Sequence, residues 1–274
     1  LTKKIAKTIK NEDPSSIIIF GGCSVPPEKN ARSFLKENEY VDIICHGEGE
    51  KPFLSILENF KPDEEEQNWG KVPSISYKTN NNIITNKRIE RLKSISEIPS
   101  PYLTGLFDQY LRDDPNAGWI GLWETNRGCP FKCTFCDWGS AIASKLEKFE
   151  EERLYKEIDY FSEKKIDLIF GADSNFGILK RDIKLAEKLA ENKKKFGYPN
   201  RFTTCYTKNS TEKVFDLAKI FAEVGLHRGV SVSMQSLNTN TLKNIKRDNI
   251  KLDFFKSLQR SEERRVGKEC RSRW

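Results

Sequence analysis

Three cysteines lie in one short stretch of the chain, ETNRGCPFKCTFCDWGS, at residues 124–140. Cys129, Cys133 and Cys136 are separated by three and then two residues, so their thiols fall within one tight loop. Three thiolates in such a loop can each take one iron of a four-iron cluster, which leaves the fourth iron without a protein ligand. The spacing therefore predicts a [4Fe–4S] cluster with one iron open to a substrate or cofactor.

Other uses of these cysteines stay open at this point. A structural zinc site takes four ligands, usually in two separated pairs, and Cys205 is the candidate for the fourth, on a predicted strand. A disulfide would leave one thiol over. A zinc- or cluster-stabilised binding module is therefore the alternative to an enzyme.

The cysteine loop follows the first strand of a repeated strand–helix unit. Short apolar runs predict strands, and apolar residues at helical spacing predict the helices between them. The four predicted pairs are 119–125 with 150–164, 166–170 with 181–195, 201–207 with 212–224, and 229–233 with 239–247. Consecutive units of this kind imply a parallel sheet, with functional loops at the carboxyl ends of its strands.

Residues 1–60 also have an α/β pattern. The apolar runs 16–20 and 41–45 predict buried parallel strands, and residues 28–37 and 51–60 predict helices. The second helix is expected to bury one apolar face, formed by Phe53, Leu54, Ile56, Leu57 and Phe60. Gly21-Gly22 follows the first strand and Gly47-Glu48-Gly49-Glu50 the second, with His46 between strand and loop as an ordinary hydrogen-bonding residue. Glycines at such strand ends serve either a tight turn or the close approach of a ligand.

Residues 61–118 have a different character. An alternating segment, an Asn-rich turn and Ile83-Ile84 predict a hairpin over residues 72–84, and Pro99 and Pro101 predict a stiff extended linker. The domain boundary is therefore expected near Gly118.

The cysteine loop at the end of a strand in a βα repeat resembles the radical SAM (S-adenosylmethionine) superfamily. The resemblance covers residues 119–259 and implies the first four units of a partial (βα)6 TIM barrel. It also implies that the backbone beside Phe135 lies against the adenine of SAM. Asp173 would hold the methionyl amine. On the predicted fourth strand, Ser231, Ser233 and Gln235 alternate toward one face, which in a barrel can point inward at the ribose or carboxylate, and hydrogen bonds to the backbone are the alternative for these side chains. For Asp173, an N-cap or turn role is the alternative.

The two glycine loops of residues 1–60 resemble the final third of the cobalamin-binding domain that precedes many radical SAM enzymes. The resemblance implies the C-terminal part of a Rossmann-like domain. Its two loops would approach cobalamin through Gly21, Gly22, Gly47, Glu48, Gly49 and Glu50.

The combined resemblance implies an α/β enzyme that cleaves SAM reductively to a 5′-deoxyadenosyl radical and uses cobalamin to methylate an unactivated carbon. The implied partners are a small-molecule or peptide substrate and an electron donor such as flavodoxin or ferredoxin. The alternative is a cobalamin-independent radical SAM enzyme, such as an RNA methylthiotransferase.

Both ends of the sequence carry information about its origin. Leu1 in place of Met predicts a missing N-terminus, and residues 260–274 resemble the translation of a sequencing adapter. Without that tail, which holds six Lys or Arg and three Glu, the formal net charge falls from +7 to +4. The remaining charges are interspersed, and no apolar run is long enough to span a bilayer. We therefore expect a cytoplasmic protein with neither a nucleic-acid nor a membrane partner.

Overall fold

The computed structural model describes residues 1–22, 25–64, 67–80, 82–136, 145–207, 212–227 and 235–247. The chain forms two compact units, Leu1–Lys93 and Ser94–Trp274. This division differs from the expected boundary near Gly118. The connector after Lys93 carries apolar side chains, and Ile95, Ile98 and Tyr102 pack in the core of the second unit. Within the described residues, no helix is both long and apolar enough to cross a bilayer.

The first unit contains one four-stranded sheet of β1 (Ile19–Phe20), β2 (Ile43–Cys45), β3 (Ile75–Lys78) and β4 (Ile83–Thr85), in that order. The two predicted strands pair in parallel, and the predicted hairpin is confirmed as β3 and β4, which extend the same sheet in antiparallel pairing. The hairpin is therefore part of the first unit and not of a connector. The helices of this unit are α1 (Thr2–Glu12), a 3-10 helix (Glu28–Asn30), α2 (Ala31–Glu37), α3 (Glu50–Asn59) and a 3-10 helix (Trp69–Lys71).

Strand β2 lies at the centre of this unit and is buried along its whole length. Ile43 packs in a cluster with Ile56 of α3, and Ile44 packs in a second cluster with Leu35 of α2. Successive side chains of a strand point to opposite faces, so helices cover the sheet on both sides. The prediction that α3 buries its apolar face is wrong in part. Ile56 is buried, but Phe53, Leu54, Leu57 and Phe60 are exposed.

The strands of the second unit are β5 (Ile120–Trp123), β6 (Asn126–Arg127), β7 (Glu147–Lys148), β8 (Leu168–Phe176) and β9 (Arg201–Tyr206). A parallel sheet contains β5, β8 and β9 in that order, and a short antiparallel ribbon contains β6 and β7. The first three strand–helix units predicted from the sequence are confirmed. The predicted fourth strand, 229–233, and the tail, 260–274, lie outside the described residues. The described helices of this unit are a 3-10 helix (Ile95–Glu97), α4 (Asp108–Asp113), α5 (Glu151–Glu163), α6 (Asp182–Phe196), α7 (Glu212–Glu223) and α8 (Thr239–Asn244).

Strand β8 extends six residues beyond its predicted end at Phe170. Its pairing with β9 is regular up to Gly171, which lies opposite Thr204, and resumes only at Phe176, opposite Tyr206. A strand bends and changes the direction of its side chains where extra residues interrupt the ladder. The irregular segment, residues 172–175, lies just beyond the point where the pairing between β5 and β8 ends.

The turn after β8 is held by Asp182, the first residue of α6. Its carboxylate accepts hydrogen bonds from the backbone N–H groups of Gly177 at 2.8 Å and Leu179 at 3.0 Å. The side chain is fully buried, and burial raises its pKa to about 6, against the opposing effect of these hydrogen bonds and of Arg181. The folded protein therefore binds a proton at this site in a pH range where the unfolded chain does not.

We expect Asp182 to make folding pH-dependent. Its stabilising contribution is complete below about pH 4 and is lost as the pH rises through about 6, by about 2–3 kcal/mol. Asp182→Asn keeps an acceptor for both N–H groups and removes the titration. The free energies of unfolding of the two proteins, measured by urea denaturation between about pH 4 and pH 8, should therefore differ in slope only over the acidic part of this range. Parallel curves would contradict the prediction.

Candidate functional site

The three cysteines of the predicted cluster site follow the β6 strand directly. Cys129 and Cys133 are buried and Cys136 is partly exposed, and all three are free thiols. The backbone N–H of Cys136 donates to the carbonyl of Cys133 at 3.1 Å, which makes a tight turn between them. Among the described residues, no group of three or more His, Cys, Asp or Glu side chains is arranged to hold a single metal ion. In a four-iron cluster, by contrast, each thiolate binds a separate iron.

Asp173, in the irregular part of β8, accepts four hydrogen bonds from the two residues that lead into the cysteine loop. The donors are the backbone N–H and hydroxyl of Thr125 and the backbone N–H and side-chain amide of Asn126. An ionised carboxylate has about four acceptor positions, so these bonds fill them. Burial raises the pKa of Asp173 to about 7, while the hydrogen bonds from Thr125 and Asn126 oppose that shift.

The next two residues of β8 contact the loop one step further along. The hydroxyl of Ser174 donates to the carbonyl of Gly128 at 2.6 Å. The side-chain amide of Asn175 donates to the Cys129 sulfur at 3.2 Å and to the Ser174 hydroxyl at 2.9 Å. Asn175 is fully buried, and its Oδ1 atom has no hydrogen-bond partner among the described residues. Three consecutive β8 residues thus bind three successive parts of the loop.

The start of the loop is constrained from two further directions. Gly128 has φ of +114°, and a Cβ atom there would lie 2.5 Å from the carbonyl oxygen of Lys145, so only glycine fits. The buried guanidinium of Arg181 donates to the carbonyl oxygens of Thr125, at 2.7 Å, and Phe149. Both contacts fix the backbone that presents Cys129.

A second cation-bearing side chain reaches the loop from the region after α8. Arg247 is buried, and its Nη1 atom lies 3.9 Å from the Cys133 sulfur. The backbone N–H of Thr134 donates to the carbonyl of Ile245 at 3.1 Å, which ties this region to the loop. Sequence reasoning identified neither Arg247 nor Asn175, because each is distant in sequence from the cysteine that it contacts.

The remaining residues expected to bind SAM have different environments. Phe135 and Gln235 are exposed, the former within the turn between Cys133 and Cys136. Ser233 lies outside the described residues. Asp173 is neither an N-cap nor a turn residue, because it lies within β8 and its oxygens are occupied by Thr125 and Asn126.

In the first unit, the two glycine loops lie at the same edge of the sheet, because β1 and β2 are parallel. A Cβ atom on Gly21 would lie 3.6 Å from the Cβ atom of Cys45 at the end of β2. Gly22 and Gly47 have φ of +81° and +80°, values that favour glycine. The edge is solvent-exposed at the residues Gly21, Gly22, Gly47, Gly49 and Glu50.

Two polar residues beside this edge form hydrogen bonds with other residues of the first unit. The carboxylate of Glu48 accepts from the Arg91 side chain at 3.1 Å and from the Leu92 backbone at 2.9 Å. The prediction for His46 is confirmed: its Nε2 atom hydrogen-bonds the Ser76 hydroxyl at 2.8 Å in a buried position. Glu50 is the first residue of α3, with Gly49 at the N-cap.

The described site can be compared with known proteins. The family model of the Radical SAM superfamily matches residues 123–267, more than half of the chain. The chain belongs to the radical SAM superfamily. The match begins at the end of β5 and includes the three cysteines and the β8 residues that contact their loop.

Two curated relatives are similar over most of this chain. The cobalamin-dependent radical SAM methyltransferase TokK of Streptomyces tokunonensis is 38% identical over 258 residues, which are 93% of this chain and 37% of TokK. The 2-(S-pantetheinyl)-carbapenam-3-carboxylate methyltransferase of Streptantibioticus cattleyicolor is 37% identical over 258 residues, with the same coverage of 93% and 37%. The chain therefore spans 37% of the length of each of these relatives.

A solved structure supports the fold. The radical SAM methyltransferase TsrM from Kitasatospora setae, with tryptophan and the SAM analogue aza-SAM bound, superposes with a TM-score of 0.63 at 17% identity. The superposition covers 94% of this chain and 49% of TsrM. At this identity the likeness concerns the fold alone.

Proposed function

We propose that the full-length protein binds a [4Fe–4S] cluster through Cys129, Cys133 and Cys136 and cleaves SAM reductively to a 5′-deoxyadenosyl radical. The observation that carries this proposal is the environment of the loop in a radical SAM chain. Two of the three free thiols are buried and receive side-chain N–H donors, from Asn175 at 3.2 Å and Arg247 at 3.9 Å. Buried sulfurs that face N–H donors suit ligands of an anionic cluster.

The residues around the loop would hold the cluster and limit water. Asp173, Ser174 and Arg181 bind the backbone between Thr125 and Gly128, directly before Cys129, so the start of the cysteine loop is held by hydrogen bonds that need no metal. When bound, the cluster supplies the electron that breaks the sulfonium bond of SAM. The backbone beside Phe135, in the turn that ends at Cys136, is the candidate to contact the adenine. Gln235 and Ser233 remain candidates for the ribose or carboxylate. Asp173 acts on SAM indirectly, by positioning the loop.

The first unit is the candidate for cobalamin binding. Gly21, Gly22, Gly47 and Gly49 bring exposed backbone together at the carboxyl edge of two parallel strands, where open α/β sheets bind ligands. Glu50 begins α3 at this edge. The carboxylate of Glu48 instead accepts hydrogen bonds from residues 91 and 92 of the same unit. The proposal is that this unit is the C-terminal part of a Rossmann-like cobalamin-binding domain.

The proposed reaction is methylation of an unactivated carbon. TokK is named as a cobalamin-dependent radical SAM methyltransferase, and the relative from Streptantibioticus cattleyicolor is named as the methyltransferase of a pantetheinyl carbapenam carboxylate. The latter name favours a small-molecule substrate over a peptide for this protein. We further propose a cytoplasmic enzyme that receives electrons from flavodoxin or ferredoxin.

Anaerobic reconstitution of the full-length gene product with iron and sulfide tests these proposals. The expected protein is brown, has the absorbance spectrum of bound cobalamin, and forms 5′-deoxyadenosine from SAM only when a reductant is present. Colourless protein, or a cluster indifferent to SAM, would instead favour a binding module. Formation of 5′-deoxyadenosine by protein that does not retain cobalamin would favour a cobalamin-independent radical SAM enzyme.

A further inference from the structure

We propose that Asn175 is a positioning residue for the cluster, whose side-chain amide donates a hydrogen bond to the sulfur of Cys129 and raises the reduction potential of the cluster. This inference rests on the proposed function, because it requires that Cys129 is a cluster ligand. The resemblance to radical SAM enzymes implies no role for Asn175. Its contact with Cys129 joins β8 to the cysteine loop.

The hydrogen-bond network fixes which end of the Asn175 amide faces the sulfur. Ser174 donates its hydroxyl hydrogen to the carbonyl of Gly128 at 2.6 Å, so its oxygen is left as an acceptor. The Asn175 Nδ2 atom lies 2.9 Å from that oxygen and uses one of its two hydrogens there. The second hydrogen is then available to the Cys129 sulfur, 3.2 Å from Nδ2. The reversed amide would place Oδ1 against a sulfur that, as a thiolate, can only accept.

Burial makes this contact effective. Asn175 is fully buried and Cys129 is 2% exposed, so water competes little for the sulfur and the local dielectric is low. Reduction adds negative charge to a cluster and its thiolate sulfurs. A fixed N–H donor therefore stabilises the reduced form more than the oxidised form, which is how hydrogen bonds to cluster sulfurs tune the potential.

The second donor near the cysteines acts on a different sulfur. Arg247 approaches Cys133 at 3.9 Å, whereas the Asn175 contact with Cys129 is 3.2 Å. Asn175 lies in β8 and Arg247 follows α8, so we expect substitution of Asn175 to leave the contact between Arg247 and Cys133 intact. The contribution of Asn175 can therefore be measured by itself.

The experiment compares full-length wild-type protein with Asn175→Leu and Asn175→Asp after reconstitution. Asn192→Leu is the matched control, because Asn192 is also buried but donates its amide hydrogens to Asp159 and Ser162 within the helical layer. The readout is the midpoint potential of the cluster, from redox titration followed by electron paramagnetic resonance without SAM. This measurement does not depend on turnover.

We expect the equilibrium constant for one-electron reduction to fall about tenfold in Asn175→Leu, a shift of about −59 mV. Asn175→Asp should shift the potential further in the same direction, and Asn192→Leu should not shift it. An unchanged potential in both Asn175 variants would overturn the inference and leave the proposed function intact. Wild-type protein that assembles no cluster would overturn both.

A measurement on the wild type covers the case in which the variants fail to bind a cluster. Protein labelled with ¹⁵N in its asparagine side-chain amides should show a ¹⁵N coupling and an exchangeable proton coupling to the reduced cluster in electron–nuclear double resonance. Absence of both couplings would overturn the inference.

Discussion

Alanine at Cys129, Cys133 or Cys136 is expected to abolish cluster assembly and 5′-deoxyadenosine formation in the full-length protein. A [4Fe–4S] cluster with three protein ligands has no spare thiolate, so each substitution leaves a second iron without a protein ligand. Iron and sulfide per chain, the visible absorbance and the yield of 5′-deoxyadenosine after reconstitution measure the effect. Undiminished product in all three variants would contradict the central proposal.

Cys205→Ala and Cys45→Ala are the matched controls for these variants. Cys205 lies on β9 and is exposed, while Cys45 lies on β2 of the first unit. Both variants should retain the cluster and full product formation. Loss of bound metal in Cys205→Ala would instead support a zinc site with four cysteine ligands, because only that site needs the fourth thiol.

The sequence was sufficient to predict the alternation of strands and helices. Strands such as β2 and β5 are short apolar runs, and α5 carries Leu154, Ile158 and Phe161 on one buried face. The spacing of apolar residues in the sequence therefore matches the side chains that the fold buries. The two compact units divide at Lys93 and not near Gly118, because Ile95 and Tyr102, in a proline-containing segment, pack with the second core. The face of α3 was missed because apolar periodicity does not by itself show that a face is covered.

The site was predictable only where it is local in sequence. Cysteine spacing identified the loop, but the contacts that position it come from Asp173, Asn175 and Arg247. The polar run Asp173-Ser174-Asn175 after an apolar strand is a usable signal of a site, although its composition by itself predicts that the strand has ended. Tertiary hydrogen bonds to the loop replace the regular pairing with β9, so β8 continues through residues that have low strand propensity.

Asp173→Ala is expected to have the largest effect among variants outside the cysteines. It leaves the N–H groups of Thr125 and Asn126 without their buried acceptor, at a cost of about 2–4 kcal/mol in the free energy of unfolding. The backbone before Cys129 then loses its fixed position, and cluster loading should fall together with stability. Urea denaturation and iron content per chain measure the two effects. Asp216→Ala, at an exposed position of α7, should change stability by less than about 0.5 kcal/mol.

The same variant separates two roles of Asp173. If its carboxylate served only as a ligand of the SAM amine and contributed little to the loop, Asp173→Ala would retain wild-type stability and cluster content and would weaken only the binding of SAM. If it positions the loop, stability and iron content fall first, and SAM binding falls only to the extent that the cluster is lost. The four hydrogen bonds that Asp173 accepts from Thr125 and Asn126 favour the second outcome, because a carboxylate with its acceptor positions filled has none left for an ammonium group.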